Sequence, residues 1–272
     1  MTDAGSKRPV TIITGASEGI GMELARVFAS KGHDLVLVAR RRERLEALAD
    51  ELASGLAAGG RPRPLVVALD LARPEAPAQL ADALDAADVQ PAFLVNNAGY
   101  GTVGLFTGSE AEAQLGMIDL NVRALTALTH RFLPSIVAAK GGILNVASVV
   151  AFAPGPGMAV YYASKAFVLS FSEALAAELA KQGVRVTALC PGPVVTGFQA
   201  RAGFDAAMLK GMGPAVLSAR ETAEAGFEGL MAGRRVVVPG KINKVLVRAM
   251  AWIPHAILLP QLLARQAKRS KT

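Results

Sequence analysis

Tyr161 and Lys165 lie four residues apart in an Ala- and Leu-rich stretch, 159–181, whose periodicity predicts a helix. At that spacing both side chains leave one helix face. An ammonium beside a phenol lowers the phenol's pKa from about 10. A tyrosine tuned in this way can give a proton to a carbonyl oxygen, or take one from an alcohol, nearer neutral pH. The pair alone is an ordinary helix-face pattern, as Tyr162 shows by standing three residues from the same lysine. Ser148 follows a short apolar run and stands thirteen residues before Tyr161. A hydroxyl there can donate to the oxygen that receives the proton and stabilise its developing charge.

Such groups need a rigid frame. Apolar, β-branched runs at 10–14, 35–39, 65–69, 93–96, 143–147, 184–189 and 236–238 read as strands. Between them, 19–30, 42–56, 75–87, 111–139, 159–181 and 221–231 read as helices. Strands apolar on both faces and separated by helices predict a doubly wound, Rossmann-like parallel sheet of about seven strands. The expected organisation is one α/β domain over 1–240, followed by an extension over 241–272. The first run leads into Thr14, Gly15, Ala16, Ser17, Glu18, Gly19, Ile20 and Gly21, where a helix starts. Glycines at a strand-to-helix turn admit a pyrophosphate close to the backbone, and the free N–H groups of the helix start meet its charge.

The spacing Gly-x-x-x-Gly-x-Gly after a threonine resembles the fingerprint of the short-chain dehydrogenase/reductase family. The resemblance continues through Asp70-Leu71, which match the family's adenine-side acid and its neighbour, and through Asn96, Asn97, Ala98 and Gly99, which match its N-N-A-G. Pro191-Gly192, with Val194 and Thr196 beyond, resembles the turn that holds the nicotinamide carboxamide. The likeness spans about 10–198. It implies that Tyr161 is the acid/base, that Lys165 also binds the nicotinamide ribose and that Ser148 polarises the substrate. Asn121 matches the helix asparagine whose backbone carbonyl anchors a water near the lysine, completing a proton relay. It also implies a homodimer or homotetramer formed through the two long helices.

The second run ends at Ala39, where an acid would bond a ribose 2′-hydroxyl, and Arg40, Arg41 and Arg42 follow. Guanidinium groups suit a 2′-phosphate, and bases at a helix N-terminus oppose its dipole unless an anion compensates. The expected cofactor is NADP(H), with Arg40 as the principal contact; Glu18 weakens that argument. The expected reaction is hydride transfer between NADP(H) and a ketone or secondary alcohol. A 3-oxoacyl-thioester reductase and a non-catalytic NADP(H)-sensing regulator are the alternatives. The loops 149–159 and 197–220 carry Phe152, Met158, Phe198, Phe204, Met208, Leu209 and Met212, a lining that suits an apolar substrate and equally an ordinary core.

The chain has 272 residues, 29 Lys and Arg against 22 Asp and Glu, a net charge of +7 and one cysteine, Cys190. A lone cysteine and scattered histidines exclude a disulfide framework and a clustered metal site. After Glu228 no acid follows while nine bases do, so the remaining body is close to balanced. That distribution argues against a nucleic-acid footprint on the folded domain. The polar start lacks a signal-peptide run, and a cytoplasmic protein is expected. Apolar clusters edged by bases in 241–272 leave open a peripheral contact at a membrane surface, or a lid or subunit contact.

Overall fold

In the computed structural model the described residues are 7–56, 61–197, 213–250, 252, 253, 256 and 259–263. The strands are β1 (Arg8–Thr14), β2 (Leu35–Ala39), β3 (Leu65–Ala68), β4 (Val89–Asn96), β5 (Gly142–Val146), β6 (Arg185–Leu189) and β7 (Val236–Val237). They form one seven-stranded sheet in the order β3-β2-β1-β4-β5-β6-β7, with every pairing parallel. The helices are α1 (Gly19–Ser30), α2 (Arg42–Leu56), α3 (Ala76–Ala86), α4 (Ala111–Ile118), α5 (Leu125–Ala138), α6 (Ala159–Leu179), α7 (Ala219–Met231) and α8 (Lys241–Met250). This is the Rossmann-like architecture expected from the sequence.

Strand alternation explains the all-apolar runs. Ile12, Val36, Leu94 and Ile143 face a core completed by Leu80 of α3, Phe132 of α5 and Leu179 of α6. Their neighbours Ile13, Leu37, Val95 and Leu144 face Leu24 and Phe28 of α1, Leu45 of α2 and Phe227 of α7. Both faces are therefore covered, and neither tolerates a polar strand position without a partner.

Two local differences from the sequence reading bear on function. β4 begins at Val89 rather than at 93, although Pro91 lacks an N–H to donate; its register against β1 shifts between Val10 and Thr11, which accommodates the proline. The long helix expected over 111–139 is interrupted. A π-helical turn, Asp119–Ala124, separates α4 from α5 and carries Asn121 at its centre. Such turns insert an extra residue into a helix and shift backbone groups out of their usual ladder. The substrate-loop residues Phe198, Phe204, Met208, Leu209 and Met212 lie outside the described residues.

Candidate active site

The strand order reverses between β1 and β4, which opens a crevice at the carboxyl ends of the strands. A cleft of about 870 Å³ lies there. Gly15, Ser17, Glu18, Gly19, Ile20, Arg40, Asp70, Leu71, Asn97, Ala98, Gly99, Ser148, Tyr161, Lys165, Pro191, Gly192, Val194 and Thr196 all line it. Among the sequence candidates Gly21, Asn121 and Phe152 do not, and Phe152 packs instead with the core around Val168. Gly21 lies behind the turn, where a Cβ would come within 2.3 Å of the Gly15 carbonyl oxygen, so its contribution is close packing of α1 on the turn. Asn121 is buried beneath the wall.

The β1–α1 turn is fixed by close packing and by hydrogen bonds to the end of β4. Gly15 has φ +65°, and a Cβ there would sit 2.7 Å from Asn97 Nδ2. Asn97 donates to the carbonyl oxygens of Thr14 (2.9 Å) and Gly15 (3.3 Å), fixing the turn to the end of β4. Thr14 Oγ1 accepts from Asn97 N (2.9 Å) and Ala98 N (3.0 Å) while donating to Val95 O (3.0 Å). Thr14 thus joins the β1–α1 turn to the turn after β4, a role that sequence alone did not assign to it. Glu18 makes no side-chain cap to α1, so that helix start keeps donors for a ligand.

The arginines divide their work. Glu18 pairs with Arg41 at 2.7 Å and with Arg44 at 3.1 Å, and Arg41 also donates to Ser17 Oγ at 3.0 Å. Arg42 pairs with Glu46 at 3.3 Å. Part of the anion that the basic cluster requires is therefore supplied by the protein itself. Arg40 is exposed on the cleft wall and makes no ion pair with another described residue.

At the other end of the cleft Tyr161, Ser148 and Lys165 come together, all buried. The Ser148 hydroxyl donates to Pro191 O at 3.4 Å and accepts from Val150 N at 3.3 Å. Lys165 Nζ donates to Val146 O at 2.7 Å and lies 5.9 Å from the centroid of the Tyr161 ring. Burial pushes the phenol above its ordinary pKa, with Ser148 the opposing influence, whereas a lysine-acidified phenol was expected from spacing alone. The difference has a plain cause: the ammonium is turned toward a carbonyl rather than the phenol oxygen, and desolvation outweighs it. Burial also lowers Lys165 to about 8. Cys190, buried nearby, is raised to about 12 and stays a neutral thiol.

Asn121 holds this floor together. Its Nδ2 donates to Tyr100 O (2.9 Å) and Ser164 Oγ (3.0 Å), and its Oδ1 accepts from Tyr100 N (3.1 Å). Its side chain is thereby committed to α6 and to the strand end after β4. Asn243 of α8 escaped the sequence reading. It is buried, donates to Ala215 O (3.0 Å) and Pro239 O (3.1 Å), and lies so close to Gly192 that a Cβ there would come within 2.5 Å. Nothing local in the sequence marks it, because its partners are backbone groups brought together by the fold.

The chain matches the family model of the short chain dehydrogenases over residues 9–206. It is 38% identical over 258 residues to sulfoacetaldehyde reductase of Chromohalobacter salexigens, a match covering 90% of this chain and 96% of that protein. It resembles the structure of a short-chain dehydrogenase from Sphingobium yanoikuyae in complex with NADPH, with a TM-score of 0.76, 36% identity, and 91% and 97% of the two chains covered. A short-chain dehydrogenase/reductase from Burkholderia phymatum in complex with NAD aligns with a TM-score of 0.76 at 29% identity, over 89% of this chain and 92% of that one.

Proposed function

The chain belongs to the short-chain dehydrogenase family, and on that premise we propose that it is an NADPH-dependent reductase of apolar ketones. As a member it is an oxidoreductase that uses a nicotinamide cofactor on a small-molecule carbonyl or alcohol. The observation that carries the finer reading is the grouping of buried Ser148, Tyr161 and Lys165 on a cleft wall shared with the dinucleotide turn.

The residues present fit a dinucleotide: a glycine turn that a Cβ would fill, an uncapped helix start, and a cleft running from Arg40 to Tyr161. The β1–α1 turn would hold the pyrophosphate, Arg40 the 2′-phosphate, Lys165 the nicotinamide ribose, and Pro191, Gly192, Val194 and Thr196 the carboxamide side. The bound nicotinamide supplies the hydride. Ser148 and Tyr161 both donate to the substrate carbonyl oxygen, and Tyr161 transfers its proton to that oxygen as charge develops there. Lys165, close to the ring, stabilises the phenolate left behind. A phenol kept protonated by burial suits the reductive direction, in which it must arrive as an acid.

Tyr100, Leu120, Val149, Val150, Met158 and Tyr162 wall the substrate end. Among the described lining residues the cations are Arg40, which would hold the 2′-phosphate, Arg41, which is paired with Glu18, and Lys165, which would hold the nicotinamide ribose. None is left for an anionic substrate group, which favours an uncharged substrate. A panel of apolar ketones, 3-oxoacyl thioesters and sulfoacetaldehyde, followed by nicotinamide absorbance with NADPH and NADH side by side, tests this. Highest kcat/KM for an apolar ketone with NADPH is expected; highest for sulfoacetaldehyde or with NADH overturns the corresponding part. Tyr161→Phe removes the proton donor and should lower kcat at least about a hundredfold. NADPH binding should be nearly unchanged; retained turnover refutes the assignment.

A catalytic body over 1–240 with an extension over 241–272 belongs to the same reading. So does assembly into a homodimer or homotetramer through the helices that leave Leu115, Ile118 and Phe167 exposed, which light scattering would check. No helix among the described residues is long and apolar enough to cross a membrane.

A further inference from the structure

Helix α8 is fixed to the body by Asn243 and Val247, one turn apart and both buried. Everything on its opposite side faces outward, and the residues there are sorted. Ile242, Val245, Leu246 and Ala249 form one exposed stripe, with Val245 67% exposed. Lys241, Lys244 and Arg248 form a second stripe alongside it. Just beyond the helix Trp252 is 88% exposed and Ile253 is also exposed. An exposed tryptophan beside an apolar stripe costs solvation and calls for a covering surface.

We propose that this face of α8, together with Trp252, docks on an anionic lipid bilayer, with the helix lying in the plane of the interface. Charge selects that occupant. The chain carries nine bases and no acid after Glu228, against a nearly neutral remainder. A second copy packed symmetrically on the same face would set Lys241, Lys244 and Arg248 against their own equivalents, which opposes association. An anionic bilayer offers phosphates to the cationic stripe and an acyl boundary to the apolar one. Tryptophan is suited to that boundary, having an apolar ring and a polar N–H. Asn243, on the opposite side, also ties the helix to Gly192 and Ala215, so α8 stands between the docked face and the cleft. The inference does not depend on which carbonyl is reduced.

Trp252 is the single tryptophan of the chain, so its emission reports this face alone. The full chain, loaded with NADP+, is mixed with vesicles of phosphatidylcholine with or without phosphatidylglycerol, and vesicle sedimentation is read in parallel. A blue shift and co-sedimentation with the anionic vesicles, reversed by salt, are expected. Lys244→Glu with Arg248→Glu should weaken binding at least about thirtyfold while lipid-free reductase activity is unchanged. Val245→Asp should also abolish the shift. An equal response to pure phosphatidylcholine overturns the anionic requirement. Absence of any shift, sedimentation without a shift, or a shift produced by protein concentration alone overturns the proposal, the last pointing to a second copy.

Discussion

Lys165 shows what the catalytic arrangement costs. Its ammonium is buried on a single carbonyl oxygen, and desolvation lowers its pKa from 10.5 to about 8. Below that value both the folded and the unfolded chain hold the proton, so the full penalty of the buried charge is felt. Between about 8 and 10.5 the unfolded lysine stays charged while the folded one has released its proton. This group alone therefore makes stability rise with pH across that window. Lys165→Met should abolish reduction yet raise the stability of the cofactor-free protein at pH 7 by on the order of 1 kcal/mol, net of the partner lost by Val146. The gain should shrink above about pH 8, and thermal melts at a series of pH values would show it. A less stable variant at pH 7 would mean that the lysine is not strained. The arginines make a second case. Arg40 has no described ion pair, whereas Arg41 and Arg44 are engaged by Glu18. Arg40→Ala should weaken NADPH binding about ten- to a hundredfold with NADH little affected. Glu18→Gln should strengthen NADPH binding by releasing two guanidinium groups, as titration calorimetry would record. Equal losses for both cofactors in Arg40→Ala would remove it from 2′-phosphate recognition.

The helices and turns contribute by holding backbone in unusual places. The π-helical turn at Asp119–Ala124 puts Asn121 where its amide grips both backbone groups of Tyr100 and the Ser164 hydroxyl at once. Periodicity could not reveal this, because one extra residue in a helix leaves the apolar pattern of 111–139 almost intact. The glycine turn was legible for the opposite reason: Gly15 and Gly21 stand at points where a Cβ meets fixed backbone or the Asn97 amide, a demand that only glycine satisfies. Asn243 was silent in sequence since it binds the carbonyls of Ala215 and Pro239 across the fold. Its Oδ1 is buried without a hydrogen-bond partner among the described residues, so the residue is retained at some expense. Asn243→Ala should free the β6 turn at Gly192 and raise KM for NADPH severalfold. Breaking its two hydrogen bonds should also cost about 1–3 kcal/mol of stability. A variant that melts lower with KM unchanged would confine Asn243 to a structural role.

For the molecule as a whole, the order of strands and helices was open to reading because a sheet covered on both faces forces apolar runs on its strands. Ile12 and Ile13 face opposite cores, so β1 and β2 carry consecutive apolar residues in place of alternation. What sequence could not supply was the balance of burial against charge around Tyr161, which depends on how much protein surrounds the phenol and where the Lys165 head points. The same enclosure links cofactor binding to global stability. The cleft is assembled from the ends of β1, β4, β5 and β6 and from the start of α1, so unfolding destroys it entirely. A ligand that binds only the folded chain stabilises it by about 2.7 kcal/mol at a hundredfold excess over its Kd. For a domain of this size that corresponds to a rise in Tm of roughly 5–10 °C. NADPH should produce that rise, and NADH at the same concentration a smaller one, because the 2′-phosphate contact at Arg40 is missing. In Arg40→Ala the two shifts should converge. Scanning fluorimetry of both proteins with both cofactors measures this directly; shifts that stay different in the variant would place phosphate recognition elsewhere on the cleft wall.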